Sequence, residues 1–118
     1  MSGKREQRQV LRIQPFVAPC RYVVGEQRVP GFLTEISRLG GRVQTDSAPP
    51  AVGARVAVEA RLGHKALPVR LAATVRWVGS SPRGGNVFGV SFDGVGGEEQ
   101  AVLDGVVADF ERLAGSIE

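Results

Sequence analysis

The strongest constraint on the fold is an alternation of apolar and polar residues over short segments that glycine and proline separate. The chain has 16 glycines and 7 prolines in 118 residues, enough to interrupt long regular elements. A period of two is typical of a half-buried strand, because successive side chains of a strand point to opposite faces. The pattern predicts a mostly β domain. The predicted strands cover residues 16–24, 27–37, 40–45, 54–62, 69–78 and 87–92.

Two of these strands have a clear inner and outer face. In residues 54–62, Val56 and Val58 share the apolar face, and charged residues alternate with them. In residues 69–78, the same alternation places Trp77 on the apolar face. One face of each strand is therefore predicted to be core and the other solvated, and Trp77 is predicted to be a core residue.

Only the C-terminal part of the chain has a helical period. Apolar residues recur there three and four positions apart, which predicts an amphipathic helix over about residues 98–114. Short antiparallel strands closed by one such helix indicate a small six-stranded antiparallel β-barrel with a C-terminal α-helix. The apolar stripe consists of Leu103, Val106, Val107, Phe110 and Leu113.

The charge of the chain is unevenly distributed. The net charge is +3, and residues 1–12 hold all of this excess, with Lys4, Arg5, Arg8 and Arg12 against a single acid. We therefore divide the chain into a flexible basic arm, residues 1–12, and a barrel domain, residues 13–118. A local anion site fits this pattern better than a surface that coats nucleic acid, which needs a wider basic stripe.

Residues for catalysis or metal binding are scarce. His64 is the only histidine and falls in a predicted turn, while Cys20 falls inside a strand and is interpreted as a small core residue. A nucleophile needs a nearby base, and zinc needs several Cys or His ligands. We expect no enzyme activity, no catalytic residues, no metal and no cofactor.

The sequence also limits where the protein acts. No apolar run reaches the roughly 18 residues of a membrane helix, and the N-terminus lacks the apolar core of a signal peptide. The single cysteine cannot form an internal disulfide. We therefore expect a cytoplasmic protein without membrane insertion.

Two clusters remain as candidates for binding. Arg8 and Arg12 lie four residues apart, and arginine makes bidentate contacts with phosphate and with the O6/N7 edge of guanine. The second cluster, E-I-S-R-L-G-G, contains Glu35, Ser37 and Gly40. Its carboxylate suits the N1/N2 donors of guanine, although two glycines after a strand are also ordinary turn chemistry.

Together the clusters resemble the R-x-x-x-R and D/N-x-S-x-x-G motifs of PilZ domains, bacterial receptors for cyclic di-GMP. Arg8 and Arg12 match both arginines, and Ser37 and Gly40 match the serine and glycine. Glu35 stands where that family has aspartate or asparagine. Residues 73–78 and 88–92 and the closing helix are also similar to the second half of a PilZ domain.

The resemblance implies a site for cyclic di-GMP on the outer surface of the barrel, over which the arginine arm folds when the ligand binds. Arg8 and Arg12 would hold phosphate and the Hoogsteen edge of guanine, Glu35 and Ser37 would read its other edge, and Gly40 would keep the backbone clear of the ligand. The accessory candidates are Arg5, Arg38 and Gly41. The signal would then pass to an unidentified protein partner, and motility is among the processes that such receptors usually regulate. The protein would be a monomer or weak dimer.

Two alternatives remain open. The longer Glu35 side chain displaces its carboxylate, so the chain could be a PilZ-like protein–protein interaction module that does not bind the nucleotide, with a partner surface elsewhere such as the acidic helix. A binder of single-stranded nucleic acid is the other alternative. The seven aromatic residues fall mostly at apolar positions, which leaves few for base stacking, so no nucleic-acid partner is expected.

Overall fold

The protein is a closed antiparallel β-barrel with one helix. The computed structural model describes residues 18–63, 65–82 and 84–117, with side chains through residue 109. The barrel order is β1-β2-β3-β6-β5-β4, which confirms the predicted architecture. The elements are β1 (Ala18–Val24), β2 (Gln27–Ile36), β3 (Gly40–Thr45), β4 (Arg55–Leu62), β5 (Leu67–Ser80), β6 (Asn86–Phe92) and α1 (Gly97–Ile117). The arm, residues 1–12, and His64 lie outside the described residues.

The barrel interior is filled by the apolar face of every strand. Tyr22 and Phe88 meet edge to face with ring centroids 4.9 Å apart, a favourable arrangement for aromatic rings. The Tyr22 hydroxyl donates to Thr45 Oγ1 at 3.1 Å inside the barrel, so its polar end has a partner. Cys20 is buried as predicted, and burial raises the pKa of its thiol from 9.0 to about 12.

Helix α1 covers one end of the barrel. Its residues Leu103, Val106 and Val107 are buried, so the predicted apolar stripe faces the barrel as far as side chains are described. Glu98 and Glu99 occupy the first turn, where the positive end of the helix dipole favours acids. The helix extends to Ile117, three residues past the predicted end. Within the described chain, no helix combines the length and the apolar character needed to cross a bilayer.

The prediction that Trp77 is a core residue is wrong. Its side chain lies on the outside of the barrel and is 44% exposed. The pairing of β5 with β6 shifts register between Val75 and Trp77, so Arg76 is an additional residue in β5. A β-bulge of this kind reverses the alternation of side chains that follows it. Val75 therefore points inward, and Arg76 and Trp77 point outward.

Candidate functional site

The turn between β2 and β3 is held together by Ser37. The Ser37 hydroxyl accepts hydrogen bonds from the backbone N–H groups of Leu39, at 3.1 Å, and Gly40, at 3.2 Å. It also donates to the Gly40 carbonyl at 3.3 Å, to which the Ser37 N–H donates at 2.9 Å. A hydroxyl offers one donor and two acceptor positions, so this turn uses the full hydrogen-bonding capacity of Ser37.

Gly40 is required by the barrel itself. A Cβ atom at this position would lie 2.1 Å from the Val90 carbonyl oxygen on β6, far inside a van der Waals contact. Beside it, the Phe92 N–H donates to the Leu39 carbonyl at 2.8 Å, which joins the turn to the end of β6. Only glycine therefore allows β3 to approach β6 this closely.

A second β-bulge directs Glu35 outward. The pairing of β2 with β3 shifts register between Leu33 and Glu35, so Thr34 is the additional residue. Leu33 and Ile36 are fully buried, while Thr34 and Glu35 are half-buried. Without the bulge, strict alternation would place Glu35 on the same face as Leu33, inside the barrel.

The two bulges place four residues in one line across the outside of the barrel. Glu35 is paired with Arg42, Arg42 with Gly89, and Gly89 with Trp77. We call this line the outer row, and the surface of β2, β3, β6 and β5 that carries it the site face. Three strand spacings separate its ends, roughly 14 Å along the sheet.

Trp77 lies directly over Gly89. A Cβ atom on Gly89 would be 2.0 Å from Trp77 Nε1, so the indole rests on the bare backbone of β6. Arg76 is next to it and donates from Nε to Ser91 Oγ at 2.7 Å. The site face thus presents an aromatic ring beside a guanidinium, with a carboxylate at the other end of the outer row.

A shallow cavity of about 390 Å³ covers this arrangement. The structure brings together four of the residues predicted from sequence, Glu35, Ser37, Gly40 and Gly41. Both the β2–β3 turn and the outer row contribute to the lining. Arg8, Arg12 and Arg5 lie outside the described residues. The cavity is lined by Glu35, Ser37, Leu39, Gly40, Gly41, Arg42, Arg76, Trp77, Gly89, Val90 and Ser91.

Arg38, predicted as an accessory residue, is engaged elsewhere. Its Nε lies 2.9 Å from Asp104 Oδ1 on α1, and Gln100 donates to the same carboxylate at 3.0 Å. The hydrogen bond from Gln100, followed by that from Arg38, lowers the pKa of Asp104. The ion pair connects the β2–β3 turn to the helix, and Arg38 is absent from the cavity lining.

Sequence reasoning missed Arg42, Arg76 and Trp77. One signal was available for Trp77: Gly89 interrupts the apolar strand F-G-V at its centre, and glycine within a strand marks a bulge or a close approach by another group. The partner of that glycine depends on the bulge in β5, which no feature of a single sequence specifies.

The fold is that of a known class of domain. The sequence profile of the PilZ domain matches residues 4–109, and the chain belongs to this family. No curated protein sequence matches it significantly.

Solved structures with the same fold are distant in sequence. The structure of the Bacillus subtilis inhibitor of motility (MotI/DgrA) has a TM-score of 0.72 and 19% identity over 90% of this chain and 52% of that one. Escherichia coli YcgR in complex with c-di-GMP has a TM-score of 0.74 and 17% identity over 93% and 48%. The chain thus spans about half of each protein. The PilZ domain of YcgR with c-di-GMP has a TM-score of 0.71 and 18% identity over 92% and 94%.

Proposed function

We propose that this protein is a receptor for cyclic di-GMP that binds the nucleotide on the site face and acts by binding rather than by catalysis. The observation that carries the proposal is the outer row, in which two bulges direct Glu35 and Trp77 outward beside the turn formed by Ser37 and Gly40. Membership of the PilZ family and the c-di-GMP complexes of a protein with the same fold support the choice of ligand.

Three groups in the cavity match chemical features of a guanine nucleotide. The exposed indole of Trp77 offers a flat surface on which a base stacks. The carboxylate of Glu35 accepts hydrogen bonds, and the N1–H and N2–H groups of guanine donate them. Arg76 supplies positive charge for a phosphate. Gly40 and Ser37 act in this scheme by fixing the turn, and the earlier expectation that Ser37 contacts guanine remains a prediction.

The remaining charge comes from the arm. We propose that Arg8 and Arg12 close over the bound nucleotide, with phosphate and the O6/N7 edge of guanine as their targets. Ordering the arm costs conformational entropy, so its closure depends on the ligand. The changed arm would then be recognised by a protein partner in the cytoplasm, where the free thiol of Cys20 persists.

Calorimetric titration with cyclic di-GMP tests this proposal. We expect binding by the wild type and a loss of at least about a hundredfold in affinity for Arg8→Ala/Arg12→Ala, since each of the two charged contacts contributes roughly 1.5–3 kcal/mol. Trp77→Ala removes a stacking surface worth about 1–3 kcal/mol and should weaken binding without unfolding the barrel. Phe32→Ala, an exposed aromatic residue outside the cavity lining, is the matched control and should bind normally.

Trp77 provides an independent optical measurement. It is the only tryptophan of the chain, so a change in tryptophan fluorescence on titration reports on the site face alone. Unchanged fluorescence together with wild-type affinity in Trp77→Ala would contradict the stacking role. Retained affinity in the double arginine variant would contradict the role of the arm.

One observation favours a second candidate, a protein–protein interaction module that does not bind the nucleotide. Ser37 holds its own turn and Gly40 permits the approach of β3 to β6, so the barrel needs both residues whether or not a ligand binds. The absence of heat and of a thermal shift with cyclic di-GMP would contradict nucleotide binding, and capture of a partner that is unchanged by the nucleotide and by Arg8→Ala/Arg12→Ala would support this candidate.

A further inference from the structure

A second charged surface lies on the outside of β1, β4 and β5. Arg21 on β1 is paired with Glu59 on β4, and Glu59 is paired with Arg70 on β5. These three residues form a row across the strands, and Arg61 lies two positions further along β4. We call the surface formed by Arg21, Glu59, Arg61 and Arg70 the basic face.

Glu59, at the centre of this face, forms ion pairs with two arginines. Arg28 Nε lies 3.2 Å from Glu59 Oε1, and Arg70 Nη1 binds Glu59 Oε2. Partial desolvation raises the pKa of Glu59, but the hydrogen bonds and charges of Arg28 and Arg70 outweigh it and keep that pKa below the ordinary value. One carboxylate neutralises only one positive charge, so the arginines around Glu59 leave a net positive surface.

A cleft of about 810 Å³ runs beside this row. Pro19 and Pro68 line it together with Arg21, Arg61 and Arg70, and Glu99 of α1 also contributes. On the adjoining strand, Phe32 is paired with Pro19 and is half exposed. Arginine next to exposed aromatic and apolar groups is the composition that marks protein interfaces.

The apolar groups of the face favour a protein over a polyanion as its ligand. Nucleic acids bind mainly through their charged phosphates, whereas Pro19, Pro68 and Phe32 offer apolar surface on which the side chains of a peptide pack. Alternate side chains of an extended peptide lie on one face about 7 Å apart. Arg61 lies about this distance along β4 from the row that holds Arg21 and Arg70, so two acidic side chains at alternate positions reach Arg61 and one of the arginines beside Glu59.

We propose that the basic face binds an acidic, extended segment of a partner protein. Arg21, Arg61 and Arg70 supply the charge, and Pro19, Pro68 and Phe32 supply apolar contact. This surface is separate from the outer row and differs from the acidic helix considered from sequence. The inference does not depend on cyclic di-GMP binding, and the nucleotide titration described above tests that function separately.

Fluorescence anisotropy with a labelled peptide in which glutamate alternates with threonine tests the proposal. We expect Arg21→Ala/Arg61→Ala to weaken binding about tenfold at roughly 0.15 M salt, because each exposed charge pair contributes about two- to fivefold. Glu59→Gln removes the competing carboxylate and should strengthen binding. Arg55→Ala is the matched control, because Arg55 lies on β4 six residues from Arg61, about 20 Å away, and should change affinity less than about twofold.

Three results would overturn the proposal. An equal loss in Arg55→Ala would show attraction to the overall charge of the protein and not to this face. Tighter binding of a single-stranded oligonucleotide or of phosphatidylglycerol vesicles than of the peptide, lost in the same double variant, would assign the face to another class of ligand. Concentration-dependent dimerisation that the double variant abolishes would assign it to a second copy of this chain. A glutamine–threonine peptide should not bind under any of these conditions.

Discussion

The site face and the basic face belong to one barrel but are built by different rules. On the basic face, the pairings of β4 with β1 and with β5 run without a register shift. On the site face, β2 and β5 each contain a bulge. Regular alternation directs Arg21, Glu59 and Arg70 outward, whereas Glu35 and Trp77 point outward only because alternation is interrupted.

This difference explains how each face acquires its set of side chains. Regular pairing produces a surface whose composition can be read directly from the strand sequence. Bulges place consecutive side chains on the same side of a sheet, which concentrates Arg76 and Trp77 at one point beside Gly89. Chemically diverse groups thus meet at one point of the irregular face, and a row of charged residues forms on the regular one.

The largest expected effect on stability comes from replacing Gly40 on the site face. Gly40→Ala places a Cβ against the Val90 carbonyl, and because backbone cannot rotate away as a side chain can, we expect a loss of about 3 kcal/mol or more in the free energy of unfolding. Urea denaturation measures it. Gly105→Ala is the control, since no atom lies within 4 Å of its added Cβ and alanine in a helix should stabilise by about 0.5–1 kcal/mol. Wild-type stability in Gly40→Ala would contradict the close approach of β3 and β6.

Gly89→Ala, on the same face, is expected to have an intermediate effect on stability and to weaken nucleotide binding while the barrel stays folded. Gly89→Ala forces the Trp77 indole to move, because the new Cβ overlaps Nε1, but an exposed side chain has room to rotate. We expect a loss of about 1 kcal/mol in stability, a shifted tryptophan emission and weaker binding of cyclic di-GMP. Unchanged emission from Trp77 would show that the indole does not rest on Gly89.

The smallest expected effect lies on the basic face and depends on pH. The pKa of Glu59 is lowered in the folded protein, so its ion pairs stabilise the fold above the unfolded pKa of about 4.3 and lose that contribution as the pH falls through the folded value. Glu59→Gln should therefore be less stable than the wild type at neutral pH and equal to it in acid. Thermal denaturation from about pH 7 to pH 3 measures this convergence. A constant difference across that range would exclude ionisation of Glu59 as the cause.

Most of the fold was predictable from sequence. The strand prediction for residues 40–45 is confirmed to the residue, and the other described strands differ from their predictions by at most two residues at either end. Period-two alternation correctly identified Val56 and Val58 as core residues. These predictions succeeded for one reason: inward and outward side chains alternate along a strand wherever its pairing with the neighbouring strands is regular.

The candidate site was predicted only in part. The serine and glycine of the β2–β3 turn were found because their chemistry is local and short-range in sequence. Trp77 was assigned to the wrong face, because the alternation of β5 was extended through a bulge that the sequence does not show. Arg42 was missed because its place beside Glu35 and Gly89 depends on which strands become neighbours in the closed barrel.

The sequence by itself determined the barrel, its closing helix and the turn that connects β2 to β3, because periodicity and glycine act within a few residues. Tertiary structure alone decided that Glu35, Arg42, Gly89 and Trp77 form one row and that Arg21, Glu59 and Arg70 form another. Each row joins residues from strands that are distant in the chain, and register and bulges, which depend on the whole closed sheet, set which residues meet.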